Sequence, residues 1–413
     1  MSRSRSFPKS PIDFLLVRER CDWGNSNVPI PLFRDDEIGL IQARCMRVSK
    51  MHSAKTSVLL LQFLLSAVAP LGAGTQDEPI RLKSDLVTLT AAVTDRNGRA
   101  IRSLKAEDFV VYENGIRQRI SNFAATEEPF AVTLLLDLSG STQDEIDLIK
   151  RSATSFLAEL RSDDRVGVIV FDSKVQVLTE AGGSRADAEA AVDGVSRSLG
   201  PDGQRFTSST GTSFYDALQV ASDQIARKQT DGRKAIVCMS DGVDSTSRAS
   251  FKEVAPLVEK TEASVYFLEL NTEEATLNGV LKPRTDAGYI GFSQSQVDRY
   301  YDQYDAQSMD RFRPREVMSP LVRREINTGL YEIARQEMRS LGERTGGRVY
   351  AVSALTDLRA VYKQVATDLR AQYSIAYYPE DRSHDGKWRA IRVETRAPSA
   401  TVRARSGYWA PGR

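Results

Sequence analysis

From residue 130 onward, short and nearly continuous apolar runs alternate with stretches of helical period. This alternation limits the fold more than any other feature of the chain. FAVTLLLD (130–137), RVGVIVF (165–171), KAIVCMS (234–240), SVYFLEL (264–270) and GRVYAV (347–352) carry too few polar positions to be strands with one wet face. Runs of this kind form parallel sheets covered on both sides. Between them, the spacing of apolar residues predicts helices over 142–160, 185–196, 213–228, 251–261, 329–344 and 355–371. The first would place Ile146, Ile149, Phe156 and Leu160 on one face, and a short strand is expected near 174–178. Strands alternating with helices specify an α/β fold: a doubly wound, mostly parallel, Rossmann-like sheet with helices on both faces.

Three segments stand outside that rhythm. Residues 79–128 read as a small all-β module: DLVTLTAAVTD alternates apolar and polar residues, Arg96-Asn97-Gly98-Arg99 makes a turn, and Glu113-Asn114-Gly115 is a hairpin signal. Residues 372–409 return to strands, in QYSIAYYP, KWRAIRVETR and TVRARSGYWA, and are expected to pair with the first module in one sandwich-like unit. The plainest role for these strands is a scaffold. Residues 271–326 interrupt the α/β series with a polar, tyrosine-bearing stretch. Long insertions in compact domains are often functional, although a decorative or partly disordered loop would look the same.

The beginning of the chain reads as two unlike pieces. Residues 57–71, SVLLLQFLLSAVAPL, follow Arg47, Lys50 and Lys55 and precede the small residues Gly72, Ala73 and Gly74. A basic region, an apolar run and a small-residue zone make 46–74 a signal peptide by pattern. The run is short for a membrane span, so an uncleaved anchor or a core helix is a lesser alternative. Residues 1–45 are expected to be either a disordered leader or a mis-called extension ahead of a true start at Met46 or Met51. No cysteine follows the apolar run, which argues against a lipid anchor. The mature protein would then be exported (periplasmic, on the outer surface or secreted) with no membrane span. Cys238, in an apolar strand, would be its one cysteine.

Composition removes several function classes. The net charge of +1 gives no nucleic-acid footprint. The histidines are His52 and His384 alone, which argues against a histidine-based zinc site and leaves little for Ser-His-Asp or Cys-His catalysis.

The chemistry concentrates at the ends of the apolar strands. Asp137-Leu138-Ser139-Gly140-Ser141 has the spacing D-x-S-x-S where the first central strand turns into a helix. Open α/β sheets bind ligands at that edge. Gly211-Thr212-Ser213-Phe214-Tyr215-Asp216-Ala217-Leu218 sets a threonine just before a helix, and Met239-Ser240-Asp241-Gly242 sets an aspartate at the end of another strand. If the strands are parallel, all three segments reach one edge. A few carboxylate and hydroxyl oxygens suit Mg²⁺, which accepts hard ligands and keeps waters. D-x-S-x-S alone is weak, since Ser141 or Thr142 could simply cap the helix. Thr210 rivals Thr212, and Asp172 and Asp244 are either supporting or merely solvated.

These three segments together resemble the von Willebrand factor A fold over roughly residues 130–371, with its metal-ion-dependent adhesion site intact. The flanking sequences LKAEDFVVYENGIRQRISNF and YSIAYYP…GKWRAIRVETR…VRARSGYWAP extend the likeness to the von Willebrand factor A-related proteins common in acidobacteria. The resemblance implies that Asp137, Ser139, Ser141, Thr212 and Asp241 hold Mg²⁺ or Mn²⁺. Ser139 and Ser141 would bind directly, and the other three directly or through water. It also implies that an Asp or Glu of a protein or extracellular-matrix partner completes the coordination. The chain is then expected to be a binding or adhesion module and not an enzyme. The alternatives are a periplasmic assembly factor or envelope-complex subunit and, less simply, a metal-dependent hydrolase, for which the motif offers no general base. The 271–326 insertion leaves a strand end on the metal face, so Tyr300, Tyr301, Tyr304, Arg311 and Arg313 are expected partner contacts.

Overall fold

The computed structural model describes residues 86–412 apart from 126–128, 140–145, 196–210, 229–231, 287–288 and 313–317. Residues 1–74, including the signal-like segment, lie outside the described residues. Arg81–Arg413 form one compact unit. Among the described residues no helix is long and apolar enough to cross a membrane.

In chain order the first strands are β1 (Val87–Thr94), β2 (Phe109–Glu113), β3 (Ile116–Gln118) and β4 (Ile120–Ala125). The central segment follows as β5 (Phe130–Asp137), α1 (Ile146–Glu159), β6 (Arg165–Phe171), β7 (Val175–Thr179), α2 (Arg185–Gly194), α3 (Phe214–Lys228) and β8 (Arg233–Ser240). It continues through α4 (Phe251–Lys260), β9 (Ser264–Leu270), α5 (Glu273–Leu281), α6 (Gln294–Tyr304), α7 (Pro320–Arg344), β10 (Arg348–Val352) and α8 (Leu358–Arg370). The last strands are β11 (Gln372–Tyr377), β12 (Trp388–Thr395), β13 (Thr401–Ala404) and β14 (Gly407–Trp409).

The central sheet has the order β10-β9-β8-β5-β6-β7, parallel except for the antiparallel edge strand β7. Its strands are apolar throughout because both faces are covered. Leu134 and Leu136 of β5 point into a core with Ile149, Phe156, Tyr362 and Leu369 from α1 and α8. Leu135, between them, points the other way, into a core with Leu218, Val258 and Leu341 from α3, α4 and α7. This is the doubly wound α/β arrangement that the alternation of strands and helices predicts.

The two flanking segments are interleaved. One antiparallel sheet runs β13-β1-β11-β4 and the other β14-β12-β2-β3, so each draws strands from both ends of the described chain. Leu89, Val111, Tyr373, Ile375, Tyr377 and Ile391 form a single core shared by both sheets. Tyr377 Oη and Tyr408 Oη both donate to the buried Glu113 carboxylate, at 2.8 and 3.1 Å.

This β unit meets the central sheet at the beginnings of its strands. Arg405, buried, donates through Nη1 to Glu262 (2.7 Å) and through Nη2 to the Thr88 carbonyl (2.8 Å). Arg403 pairs with Asp368 on α8 at 2.7 Å, Gln372 Nε2 donates to Tyr266 Oη at 2.7 Å, and Ser406 N donates to the Arg344 carbonyl at 2.9 Å. The opposite edge, where the strands end, is left to the loops that carry Asp137, Ser139 and Asp241.

Residues 271–326 differ from the loop that the sequence suggests, because much of the segment is helical. Ser293 Oγ accepts from Gln296 N while Gln296 Oε1 accepts from Ser293 N, a reciprocal cap that starts α6. Ser319 caps α7 with Pro320 in its first turn, so that helix starts nine residues ahead of the expected 329. Gly329 falls inside α7 instead of marking its start. A Cβ there would sit 2.5 Å from Cε2 of Tyr300, so glycine is what lets α6 pack against α7.

Arg405 provides a test of how tightly the β unit is joined to the sheet. Arg405→Ala removes a buried guanidinium together with its bonds to Glu262 and the Thr88 carbonyl, and should lower stability by about 1–3 kcal/mol in urea unfolding. A change within about 0.5 kcal/mol would contradict the role given to this contact.

Candidate functional site

The register of β5 and β8 creates the site. Leu136 stands opposite Met239, so Asp137 and Ser240 end adjacent strands side by side and Asp241 follows one residue on. Ser240 Oγ donates to Asp137 Oδ2 at 2.5 Å, and Ser139 N donates to Asp137 Oδ1 at 2.9 Å. Asp137 is fully buried (0% exposed), Asp241 is 5% exposed, and Ser139 is buried. Gly242 follows at φ +74°, a left-handed turn suited to glycine. That turn lets Gly242 N donate to Ser240 Oγ and Val243 N to Asp241 Oδ1, each at 2.9 Å.

Hydrogen bonds lace the neighbouring loops together. Leu138 N donates to the Phe171 carbonyl (2.8 Å) and Ser213 N to that of Asp172 (2.6 Å). Ser245 N and Thr246 N donate to the Thr212 carbonyl (2.9 and 3.1 Å), and Thr212 N donates to Ser245 Oγ (2.7 Å). Thr212 is therefore clamped, nearly buried, between the start of α3 and the loop that leaves β8. Of the five expected metal residues, Asp137, Ser139, Thr212 and Asp241 stand on this sheet edge. Ser141 lies outside the described residues, as do Thr142 and Thr210.

Asp172 and Asp244 serve the loops. Asp172 Oδ1 accepts from Lys174 N at 2.7 Å, closing its own turn. Asp244 Oδ1 accepts from Phe214 N at 2.9 Å and also from Ser247 Oγ, capping α3 from another segment. Burial pushes the Asp244 carboxyl up to about 6, against the hydrogen bonds it accepts.

The electrostatics of the edge centre on Asp137. Burial first, and the neighbouring Asp241 carboxylate second, push its carboxyl from 3.8 up to about 7, against the hydrogen bonds from Ser139 and Ser240. Two like charges in a low dielectric need a proton or a cation between them. Among the described residues no group of three or more His, Cys, Asp or Glu side chains is placed to hold a metal. The donors gathered here are hydroxyls and two carboxylates, a hard-oxygen set that fits a small divalent cation.

Sequence reasoning did not assign roles to three further residues at this edge. Ser240 fixes Asp137, as described. Thr272, at the start of α5, donates to Asp241 Oδ2, and Tyr331 of α7 has its hydroxyl 2.8 Å from Thr272 Oγ1 and 3.4 Å from Asp241 Oδ2. The base of the 271–326 segment thus touches the site directly. The start of α6 also reaches it, with Ser295 Oγ donating to the Ser245 carbonyl at 3.1 Å.

The expected partner contacts divide. Tyr301 is 5% exposed and packed in a core with Val297, Ile326 and Leu330, so its ring is not offered to a partner. Val297 and Tyr301, four residues apart, are the inward face of α6. Tyr300 is half-buried against α7, and Tyr304 is 44% exposed with its hydroxyl on Glu332 at 2.8 Å. Arg311 pairs with Asp298 and Asp302 at 3.5 and 3.0 Å. Arg313 lies outside the described residues.

Helices on both faces of a parallel sheet, with carboxylates and hydroxyls collected at its C-terminal edge, define a class of domain. Residues 132–243 match the family described as the von Willebrand factor type A domain, and the chain carries such a domain. No curated protein matches the chain. Among solved structures, the conserved hypothetical protein BatB from Bacteroides thetaiotaomicron is 19% identical, with 59% of this chain and all of that one covered, at a TM-score of 0.36. A von Willebrand factor type A structure from Catenulispora acidiphila is 10% identical over 77% of this chain and 71% of that one, also at 0.36. Proximal thread matrix protein 1 from the mussel byssus, described with a zinc-occupied adhesion-site motif, is 12% identical over 60% of this chain and 48% of that one, at 0.38.

The raised Asp137 carboxyl has a consequence for stability. Its contribution is fully present below the unfolded value of 3.8 and is lost as pH rises through about 7, because the folded form holds the proton more tightly. In EDTA, urea unfolding should therefore show the protein less stable at about pH 8 than at about pH 5, and Asp137→Asn should shrink that difference. An equal difference in both proteins would contradict the assignment.

Proposed function

We propose that the C-terminal edge of the central sheet binds a divalent cation, Mg²⁺ or Mn²⁺, through Asp137, Ser139, Ser141, Thr212 and Asp241. Through that cation it engages an Asp or Glu carboxylate on a partner protein or extracellular matrix. The observation that carries this reading is the buried Asp137–Asp241 pair at the ends of adjacent parallel strands, within a von Willebrand factor type A domain. Domains of this type are protein-interaction modules. A cation held by two hydroxyls and few carboxylates keeps much of its positive charge, and that charge favours an anionic last ligand.

The rim supports a role in partner choice. The start of α5, the first turn of α6 and Tyr331 of α7 reach the site, and Tyr304, at the far end of α6, is exposed. Tyr300 and Arg311 lie on the same insertion, against α7 and against Asp298 and Asp302 of α6. The basic, apolar and small-residue pattern of 46–74 supports action outside the cytoplasm, in the periplasm, on the outer surface or in the medium.

The cation reading is tested by calorimetric titration of Mg²⁺ or Mn²⁺ into the protein and into Asp137→Ala. The intact protein should bind one of these ions saturably, and the variant should lose that binding. Equal binding by both would remove the site.

A further inference from the structure

We propose that Thr272 and Tyr331, neither of them in the family motif, are positioning residues that anchor the Asp241 carboxylate and so set which cation the site accepts. The inference rests on the metal reading above and goes beyond it, because it assigns selectivity to the rim segment and not to the five motif residues.

The argument begins with how each carboxylate oxygen is held. Asp137 Oδ1 accepts from Ser139 N and Oδ2 from Ser240 Oγ. Asp241 Oδ1 accepts from Val243 N at 2.9 Å, and Oδ2 accepts from Thr272 Oγ1, with Tyr331 Oη at 3.4 Å. The Tyr331 hydroxyl is itself fixed between Thr272 Oγ1 and Thr276 Oγ1, each at 2.8 Å. Its ring is buried among Val280, Ile326 and Leu330. Every oxygen of the pair thus has a protein donor, and the hydroxyls at Asp241 Oδ2 come from the start of α5 and the middle of α7, two helices that pack together.

A carboxylate anchored through both oxygens cannot rotate to chelate an ion with both at once. Any contact it makes with an ion is through one oxygen, directly or through water. Ca²⁺ takes six to eight oxygens and readily uses two-oxygen carboxylate contacts, whereas Mg²⁺ takes six ligands in a tight octahedron and keeps waters. The anchoring therefore favours Mg²⁺ and Mn²⁺ and penalises Ca²⁺. Donors one step removed from a metal ligand commonly influence affinity almost as strongly as the ligands do.

The experiment measures Mg²⁺ and Ca²⁺ affinities by calorimetry for the full chain, Thr272→Val, Tyr331→Phe, the double variant and Thr272→Ser. Unfolding in EDTA is measured in parallel. Both single changes keep side-chain volume, so each reads the loss of a hydroxyl, and each counts separately if the double variant does not fold. Mg²⁺ binding should weaken by about tenfold in the double variant while Ca²⁺ binding holds or tightens, so the preference for Mg²⁺ falls by about tenfold or more. Thr272→Ser, which keeps the hydroxyl, should retain the preference. Unchanged affinities, or losses equal for the two ions, would overturn the inference and leave the metal site standing. An intact protein that binds neither ion would overturn the metal reading, and this one with it.

Discussion

Two carboxylates, Asp137 and Asp241, lie close enough at the ends of adjacent strands for each to feel the other's charge inside the protein. Much of the surrounding architecture can be understood from that constraint. Buried like charges are costly, and they persist only where the surrounding structure fixes them and something neutralises them. Here the fixing comes from Ser139, Ser240, Val243 and Thr272, each donating to one carboxylate oxygen. The loops behind them are tied by backbone hydrogen bonds from Leu138 to Phe171, Ser213 to Asp172 and Ser245 to Thr212. In the proposed function a cation supplies the neutralisation that a proton otherwise must.

The two edges of the central sheet have opposite tasks. At the strand beginnings, Arg403, Arg405 and Gln372 reach from the β unit onto α8, Glu262 and Tyr266. Those contacts commit that edge to support. The strand ends carry the proposed binding edge, and helix α7 spans the distance. Tyr331 lies at the site, while the carbonyl of Arg344, its last residue, receives Ser406 N from the β unit. Because β1 sits between β13 and β11, the support requires both ends of the described chain at once.

What the sequence reveals of this follows the range of each interaction. The central strands are legible because burial on both faces leaves a continuous apolar run. Asp137 and Ser139 are legible because their spacing is local. The role of Ser240 depends on the β5–β8 register, and the Thr272–Tyr331 contact joins residues 59 apart, so neither has a short-range signature. Helix α6 has one: Ser293 and Gln296 make its cap, and Val297 with Tyr301 marks its inward face. Read that way, Tyr301 belongs to the core and Tyr304, three residues on, to the surface. The true start of α7 was announced by Ser319-Pro320, while Gly329, which suggests a boundary, is there only to admit the ring of Tyr300.

In the proposed function Asp137 and Asp241 share a cation whose remaining position takes a carboxylate. Anomalous diffraction from crystals of the full chain grown with Mn²⁺ and acetate tests it most directly. The account predicts a manganese peak at the ends of β5 and β8, ligated by the hydroxyl of Ser139, with an acetate oxygen or a neighbouring molecule's carboxylate in its coordination shell. A peak elsewhere, or none at this edge in saturating Mn²⁺, would contradict it.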